Sequence, residues 1–470
     1  MLRPFDFAQG KIAYCVLRVA YSVSTRQTAL ALFLLASIVY HFPLAYNLLH
    51  KPFFNYAPGQ DVASTSLLPI EILERGDFAL DKYREFYKRF YHDPYFVAEV
   101  NGRLVSRSPV AAAVLAVPFY GLPLGMGWIA NPRLTWLVFP WSGYVVAKFA
   151  AAFITALGAV MFFFCARELA DLRTSASLTL ALAFGTSVWS TATQGLWQQT
   201  PSILFQVIAI WFLLRGRRRG ADAVAPAAFF LSAATIARPN NGIAALLFTF
   251  YVLLFYRSAF WRWIIWAIPP ALFFFAYNAI YNGSPFVFGY QDGVAQYIIT
   301  PQLDALLGLF VSPSRGLLVY SPFLVFALLR GLPAHSGGRA VRPTDSERLF
   351  YWFAASVFAL NVLFVSTFKV WDGGWGYGTR NLVDVLPYAV LLLVPTFTRL
   401  RGAWLAAFWV MVAYAAIVQS FGLWDYGERW HWHWENYNYD VWNIAENEPL
   451  FYLREYLRMA QSYLAGRGFR

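Results

Sequence analysis

The chain has 470 residues, of which 59% are hydrophobic and 19% aromatic, and only 13% are charged. Soluble domains average about 25% charged residues, so this composition excludes an ordinary soluble domain and indicates a polytopic membrane protein. A net charge of +12 could suggest nucleic-acid binding, but in a membrane protein basic residues concentrate in cytoplasmic loops. The two cysteines, Cys15 and Cys165, predict neither a disulfide framework nor a metal site.

Apolar runs recur along the whole chain. A transmembrane helix needs about 20 apolar residues to cross about 30 Å of hydrocarbon. Residues 1–27 are basic, so we expect this N-terminal segment to be cytoplasmic. About eleven spans are predicted, at residues 28–49, 144–166, 175–192, 197–214, 225–236, 242–256, 260–281, 316–329, 349–368, 383–398 and 403–423. The predicted fold class is therefore an all-α polytopic membrane protein.

One further apolar run, residues 109–128, contains three prolines and three glycines. If it crossed the membrane, the basic loops near Arg167 and Arg217 would lie opposite the basic N-terminus. We interpret it as a re-entrant or surface segment, which places those loops in the cytoplasm. A transmembrane domain of residues 28–424 then presents a long first loop, residues 50–143, and the C-terminal tail, residues 425–470, on its outer face.

The first outer loop, which we expect to carry amphipathic or re-entrant helices, places Asp61 shortly after the first membrane helix. A carboxylate just beyond a membrane helix, in a loop too polar to enter lipid, is where chemistry on a membrane-bound substrate is expected. Asp61 is therefore a candidate catalytic residue. The alternative is that Asp61 caps a short helix beginning near Val62, because Asp is a favoured N-cap residue.

Four basic residues on the predicted outer face run against the positive-inside bias: Lys148, Arg238, Arg315 and Arg380. A guanidinium near the membrane surface is costly without a partner, and a lipid phosphate satisfies it with two parallel hydrogen bonds. We expect these residues to bind a lipid phosphate, with Arg380 the leading candidate. Snorkelling of the side chain to the lipid surface is the alternative.

The outer loop of residues 371–380 is rich in glycine. It lacks the Gly-Lys-Ser/Thr ending of a P-loop and follows a membrane helix instead of a strand. Its glycines permit close approach of a ligand, while Trp375 and Tyr377 offer flat faces on which sugars stack. A helix expected to begin near Asn381 would point its N-terminus toward the same ligand as Arg380. The alternative is a tight turn that only connects two helices.

Short motifs in both outer loops carry a family resemblance: Gly59-Gln60-Asp61, Leu68-Pro69-Ile70, Gly76-Asp77, Trp371-Asp372-Gly373-Gly374 and Gly378-Thr379-Arg380-Asn381-Leu382. With the long first outer loop, this pattern resembles the GT-C superfamily of polyprenyl-phosphate-sugar-dependent glycosyltransferases, in an uncharacterised bacterial branch. In that superfamily the first outer loop carries a catalytic Asp, and Asp61 stands at the matching place. The chain departs from the family in lacking an obvious second acid beside Asp61.

The resemblance implies an inverting transfer of a sugar from a polyprenyl-phosphate donor to a glycan, lipid or protein acceptor. Asp61 would be the general base, while basic groups such as Arg380 and Arg238 would stabilise the leaving phosphate. Glu71, Asp77 and Asp372 would bind sugar or acceptor hydroxyls. No cofactor or metal is required, although some relatives use a metal. The expected location is the inner (plasma) membrane, with the active site on the periplasmic or extracellular side.

Two other classes of protein remain open. A transporter or flippase for a lipid-linked saccharide would place the same charged residues along a pathway through the bundle, but we find no convincing internal repeat. An integral-membrane scaffold would leave the outward arginines unexplained. The tail motif His431-Trp432-His433 matches no standard metal-ligand spacing, and we interpret it as structural.

Overall fold

The computed structural model describes residues 4–50, 59–90, 94–129, 141–287, 298–329, 345–424, 428–434 and 439–464. These ranges are mostly helical. Within them, five helices are long and apolar enough to cross a membrane: Ser24–Leu49, Ser142–Arg167, Arg257–Tyr281, Glu347–Val365 and Gly402–Phe421. Several long apolar helices support a membrane protein, whereas the total of about eleven spans stays a prediction.

The helices and strands of the described chain follow in this order: α1 Pro4–His50, α2 Ala63–Arg75, α3 Arg84–Phe90, β1 Val97–Val100, β2 Arg103–Ser106, α4 Ala111–Gly125, α5 Trp141–Arg167, α6 Leu172–Gly185, α7 Gln199–Arg219, α8 Ala227–Ala237, α9 Gly242–Phe255, α10 Phe260–Tyr281, α11 Leu303–Val311, α12 Leu317–Tyr320, α13 Asp345–Val365, α14 Leu386–Leu391, α15 Val394–Phe397, α16 Gly402–Phe421, α17 Glu428–His433 and α18 Glu448–Leu464. Short 3₁₀ turns connect several of them, including Gln60–Val62 before α2 and Arg380–Val385 before α14.

Helix α5 lies at the centre of the bundle, where it packs against α1, α6 and α7, and α7 in turn packs against α8. Small residues of α5, including Ala147, Ala150 and Ala151, are almost fully buried. A Cβ atom on Gly158 would lie 3.5 Å from Ile203 of α7. Small side chains let membrane helices approach closely and gain packing contacts. This interior is the tightly packed part of the helical bundle.

Two predicted spans, residues 316–329 and 383–398, consist of short helical pieces, and a third, residues 175–192, is interrupted at Thr186, whose backbone is extended. The first consists of α12 followed by the 3₁₀ helix Pro322–Ala327, and the second of the 3₁₀ helix Arg380–Val385 followed by α14 and α15. Proline is favoured in the first turn of a helix, whereas in the interior it removes a backbone hydrogen bond, and Pro322, Pro387 and Pro395 each lie in the first turn of a new piece. Apolar composition therefore does not reveal these interruptions, and the assignment of the segments as spans stays a prediction.

The first outer loop contains a β-hairpin that the all-α prediction missed. Strands β1 and β2 pair antiparallel, with Val97 opposite Ser106 and Val100 opposite Arg103. The two residues between the strands, Asn101 and Gly102, both have positive φ angles. An Asn-Gly pair is the preferred sequence for a two-residue hairpin turn, because both positions need left-handed backbone.

The proline-containing run of residues 109–128 forms α4, which packs against α2 and α5. With 15 residues, α4 is about 22 Å long, which is shorter than the hydrocarbon layer. Its assignment as a re-entrant segment stays a prediction that this length favours.

Candidate functional site

Asp61 lies in the 3₁₀ turn that precedes α2. Its Oδ2 atom is 3.2 Å from Nη1 of Arg380, and its Oδ1 accepts a hydrogen bond of 2.7 Å from the Tyr95 hydroxyl. The N-terminus of α2, at Val62, has no side-chain cap. The carboxylate therefore contacts other parts of the protein instead of capping the helix. The side chains of Asp61 and Arg380 are 21% and 22% exposed, so both can meet a ligand.

Arg380 ends the glycine-rich loop, and the loop backbone lies against its side chain. A Cβ atom on Gly376 would lie 2.3 Å from Arg380 Cδ, and one on Gly373 would lie 3.0 Å from Arg380 Cγ. Gly373 also has a φ of 85°, which other residues rarely adopt. Glycine at these two positions therefore leaves the space that the arginine side chain occupies.

Trp197 lies beneath both halves of this site. The Arg380 guanidinium is 5.2 Å from the centroid of the Trp197 ring, within the range of a cation–π interaction. A Cβ atom on Gly59, two residues before Asp61, would lie 3.2 Å from the same ring. The Thr65 hydroxyl of α2 donates a hydrogen bond of 2.9 Å to the Leu196 carbonyl. The turn that carries Asp61 and the side chain of Arg380 thus both pack against the Trp197 ring.

Residues that flank the hairpin also hold Asp61 in position. Tyr95, immediately before the hairpin, donates to the Asp61 carboxylate, and the Ser108 hydroxyl, just after it, donates to the Asp61 carbonyl at 3.0 Å. Ser106 at the end of β2 donates to the Ser64 hydroxyl of α2 at 2.8 Å. Both the backbone and the side chain of Asp61 are therefore fixed by this element.

Sequence analysis missed Tyr95, Trp197 and Ser108 as parts of the site. The Asn101-Gly102 turn could have predicted the hairpin and hence the return of its ends to one place. No sequence signal distinguishes Trp197 from the other tryptophans of the chain.

Arg238 and Arg315 each have a buried carboxylate partner. Arg238 pairs with Asp384 and also donates to the Asn381 carbonyl at 3.3 Å, and the Asp384 side chain is 1% exposed. Arg315 pairs with Glu448 at the start of α18 and is 1% exposed. The prediction of phosphate binding rested on guanidinium groups without a partner, and Arg238, Arg315 and Arg380 all have a carboxylate partner. Arg380 differs from the other two in that both members of its pair remain about one-fifth exposed.

Lys148 lies within α5 and is 4% exposed. Across the part of the chain that the structure describes, no hydrogen bond or ion pair joins Lys148 to another residue, and it is not brought to Asp61 and Arg380. The helix expected near Asn381 is a six-residue 3₁₀ helix, Arg380–Val385, with α14 following it. A helical segment therefore begins where the sequence predicted one, as a 3₁₀ turn that leads directly into α14, and its part in binding a phosphate stays a prediction.

The acidic residues of the first outer loop have partners of their own. The Glu71 side chain is 1% exposed and lies 3.5 Å from Arg75, and burial raises the pKa of this carboxyl. Asp77 accepts a hydrogen bond of 2.7 Å from the Tyr281 hydroxyl and pairs with Arg103 at 2.7 Å. Both carboxylates thus tie the loop together, and no contact joins either of them to Asp61.

Burial opposes ionisation of Asp77, but other groups outweigh this effect. Hydrogen bonds from Tyr281 and from the backbone of Ala79 and Phe78, together with the positive charge of Arg103, lower the pKa of the Asp77 carboxyl. The ionised form of Asp77 is therefore the one that the folded loop stabilises.

The remaining predicted residues of the glycine-rich loop differ in exposure. Trp375 is 41% exposed and stacks on His431, with ring centroids 5.4 Å apart. Asp372 accepts a hydrogen bond of 2.8 Å from the Tyr439 hydroxyl. Tyr377 is fully buried, and its hydroxyl donates to the Val418 carbonyl, so it cannot stack on a sugar. Of the two predicted aromatic residues, Trp375 and Tyr377, only Trp375 has an accessible ring.

No protein-family model, curated protein or solved structure matches the chain. Within the described ranges, no group of three or more His, Cys, Asp and Glu side chains could hold a metal ion. The candidate site is therefore defined by its own geometry: a carboxylate and a guanidinium in contact, both partly exposed, between a hairpin and a glycine-rich loop.

Proposed function

We propose that the protein is an integral-membrane glycosyltransferase that moves a sugar from a polyprenyl-phosphate donor to an acceptor hydroxyl, with inversion. The observation that carries this proposal is the contact between Asp61 and Arg380, 3.2 Å apart and each about one-fifth exposed. A carboxylate can accept the proton of a hydroxyl, and a guanidinium binds phosphate oxygens with two parallel hydrogen bonds. The pair thus offers both groups that this transfer needs.

In the proposed reaction Asp61 takes the proton of the acceptor hydroxyl while that oxygen forms a bond with the anomeric carbon. The bond between the anomeric carbon and the phosphate oxygen breaks, and its electron pair leaves with the phosphate. Protonation neutralises Asp61 at the moment when the phosphate gains a negative charge. Because inversion places the base and the leaving phosphate on opposite faces of the anomeric carbon, the sugar enters between Asp61 and Arg380 and their contact opens. Arg380 then exchanges the Asp61 carboxylate for the phosphate as its anionic partner, and its charge stabilises the transition state.

The surrounding residues support these two roles. Tyr95 donates to Asp61 Oδ1 and so fixes the orientation of the carboxylate. Trp197 holds the Arg380 guanidinium from below, and the exposed ring of Trp375 offers a face for the sugar. The proposed acceptor is a glycan, lipid or protein hydroxyl at the outer face of the plasma membrane. Membrane lipids are the other expected partners, and nucleic acid is not one.

A transporter or flippase for a lipid-linked saccharide is the second candidate. It is favoured by the two broken segments, α12 with the 3₁₀ helix Pro322–Ala327, and α14 with α15, because transporters bind substrates at interrupted helices. The two functions differ in their products. A transporter leaves the bond between sugar and lipid phosphate intact, whereas a transferase breaks it.

The experiment is to incubate the purified protein with a panel of radiolabelled polyprenyl-phosphate hexoses and pentoses and an extract of bacterial envelope lipids and glycans. The proposal predicts release of polyprenyl phosphate together with labelled sugar on an acceptor. The control is the Asp61→Asn variant, which should release neither. Movement of intact labelled lipid across proteoliposomes, without release, would support the transporter instead.

A further inference from the structure

Helix α18 carries an apolar stripe on its exposed side. Leu453, Leu457 and Leu464 are 42%, 54% and 85% exposed. Their spacing places these three side chains on one face, because an α-helix turns once about every 3.6 residues. The next sector around the helix carries Arg454 and Arg458, whose side chains are 43% and 74% exposed. An exposed surface that is apolar on one side and charged on the other is typical of a helix lying in a membrane surface.

The remaining side of α18 packs against the protein. Glu448, at its start, accepts a hydrogen bond of 3.0 Å from the Gly378 N–H of the glycine-rich loop. Tyr452, one turn further on, is 1% exposed. After another turn, the Tyr456 hydroxyl donates to the Phe421 carbonyl at 3.1 Å. These contacts fix the rotation of the helix about its axis, so the leucine stripe faces away from the protein.

The contact with Phe421 places α18 at the end of a membrane helix. Phe421 is the last residue of α16, which is long and apolar enough to cross a membrane. Trp424, just beyond it, packs edge-to-face on Tyr46 near the end of the candidate span of α1, with ring centroids 5.5 Å apart. Trp and Tyr concentrate where membrane helices meet water. The ends of α1 and α16 therefore mark the level of the membrane surface, and α18 is attached at that level.

The charged sector of α18 is electrically balanced. Arg454 pairs with Glu446 at 3.0 Å, and Arg458 pairs with Glu455 at 2.8 Å. Such exposed pairs suit the hydrated layer of lipid headgroups and require no excess of anionic lipid. The leucine stripe, in contrast, is stabilised by leaving water. A lipid surface satisfies both sectors at once.

We propose that α18 lies in the membrane surface, with the leucine stripe among the lipid acyl chains and the charged sector in the headgroup layer. The partner is the lipid surface itself. Because Gly378, which donates to Glu448, lies two residues before Arg380, this placement also brings the glycine-rich loop to the level of the headgroups. The proposal does not rest on sugar transfer, since it requires only that α16 crosses the membrane.

The experiment attaches a nitroxide spin label to single cysteines of the protein in phosphatidylcholine vesicles. Collisions of the label are measured with oxygen, which concentrates in the bilayer, and with a water-soluble nickel complex. Cys15→Ser removes one native cysteine, and Cys165 is buried from the labelling reagent. The labelled variants are Leu457→Cys and the matched control Arg458→Cys, which are neighbours in sequence on different sectors of α18. Both side chains are exposed, so the label does not disturb the packing.

We expect the ratio of oxygen to nickel collisions to be several-fold higher at Leu457→Cys than at Arg458→Cys. Labels at Leu453 and Leu464 should resemble the first variant, and a label at Arg454 the second. Val410→Cys, on an exposed position of α16, provides the value for lipid. Glu85→Cys, whose native side chain is 86% exposed in the charged helix α3, provides the value for water.

Two results would overturn the proposal. A ratio at Leu457→Cys equal to that at Arg458→Cys and Glu85→Cys would show that the stripe lies in water. A stripe closed to both reagents, with spectra broadened by a second nearby label, would show that another copy of the chain covers it. The assay needs no sugar donor, so either result leaves the proposed function to its own test.

Conversely, failure to detect sugar transfer would leave the placement of α18 standing if the stripe labels showed the lipid value.

Discussion

Arg380 follows Asp61 by 319 residues, yet its guanidinium lies 3.2 Å from the Asp61 carboxylate. The contact joins the first outer loop to the glycine-rich loop. Each partner is also held by a neighbour, Asp61 by Tyr95 and Arg380 by Trp197. Each group therefore has a second contact that does not depend on the pair, and under the proposed function these contacts keep both groups oriented when the sugar enters between them.

Arg380→Lys tests whether the guanidinium binds phosphate. An ammonium keeps the charge but cannot make two parallel hydrogen bonds to phosphate oxygens, so we expect turnover to fall about tenfold or more. Arg380→Ala should cost more, about 2–4 kcal/mol in transition-state stabilisation. Turnover and lipid-phosphate affinity are measured for both variants. Full activity in Arg380→Lys would mean that Arg380 only snorkels to the lipid surface.

Gly376→Ala tests whether the loop backbone sets the position of Arg380. The added methyl group would lie 2.3 Å from Arg380 Cδ, so the arginine must move. A misplacement of about 1 Å at a reacting centre can cost about 100-fold, and we expect a loss of turnover of about tenfold or more in a folded protein. Gly121→Ala is the control, because its Cβ meets open space. Equal activities of the two variants would contradict this role for Gly376.

The buried pair of Arg238 and Asp384 predicts a change in stability. Arg238→Met should lower the free energy of unfolding by about 3–5 kcal/mol, because it leaves the Asp384 carboxylate buried without its cation. The double variant Arg238→Met with Asp384→Leu should recover most of this loss. Thermal unfolding in detergent measures both. If Arg238→Met kept wild-type stability but lost affinity for lipid phosphate, Arg238 would be a ligand-binding residue instead.

Asp77 predicts a dependence of stability on pH. Its carboxyl has a lowered pKa in the folded loop, so its contribution to stability is present above the unfolded pKa of about 3.9 and is lost as the pH falls through the folded value. Asp77→Asn should therefore flatten the decline of the unfolding midpoint between about pH 5 and pH 2. An identical acid decline in variant and wild type would show that Asp77 contributes nothing to it.

The sequence predicts the membrane class and both halves of the candidate site. Composition is sufficient for the class, and Asp61 and Arg380 stand out because each is a charged residue beside a predicted helix end on the outer face. Their contact was not predicted, because nothing in either loop encodes the distance between them. The partners of Arg238 and Arg315 were missed for the same reason: Asp384 and Glu448 lie more than a hundred residues away.

The sequence also did not predict where helices are interrupted. An apolar run indicates that a segment avoids water, but not whether its backbone stays helical. Pro322 and Pro387 each begin a new helical piece within such a run. The hairpin was not predicted because strands of four residues are too short to show a clear alternation of apolar and polar residues. The Asn101-Gly102 pair between them is nevertheless a recognisable sequence for a hairpin turn. Trp197 and Tyr95 belong to the site through tertiary packing alone.

The most direct measurement is the rate of sugar transfer by Asp61→Asn, compared with its affinity for polyprenyl phosphate. Asparagine nearly keeps the shape of the side chain but cannot act as the base, so transfer should fall about 10²–10⁴-fold while affinity stays close to wild type. Asp222→Asn, a highly exposed aspartate elsewhere, should leave both unchanged. If Asp61→Asn transferred sugar at the wild-type rate, Asp61 would not be the base and the proposed mechanism would be wrong.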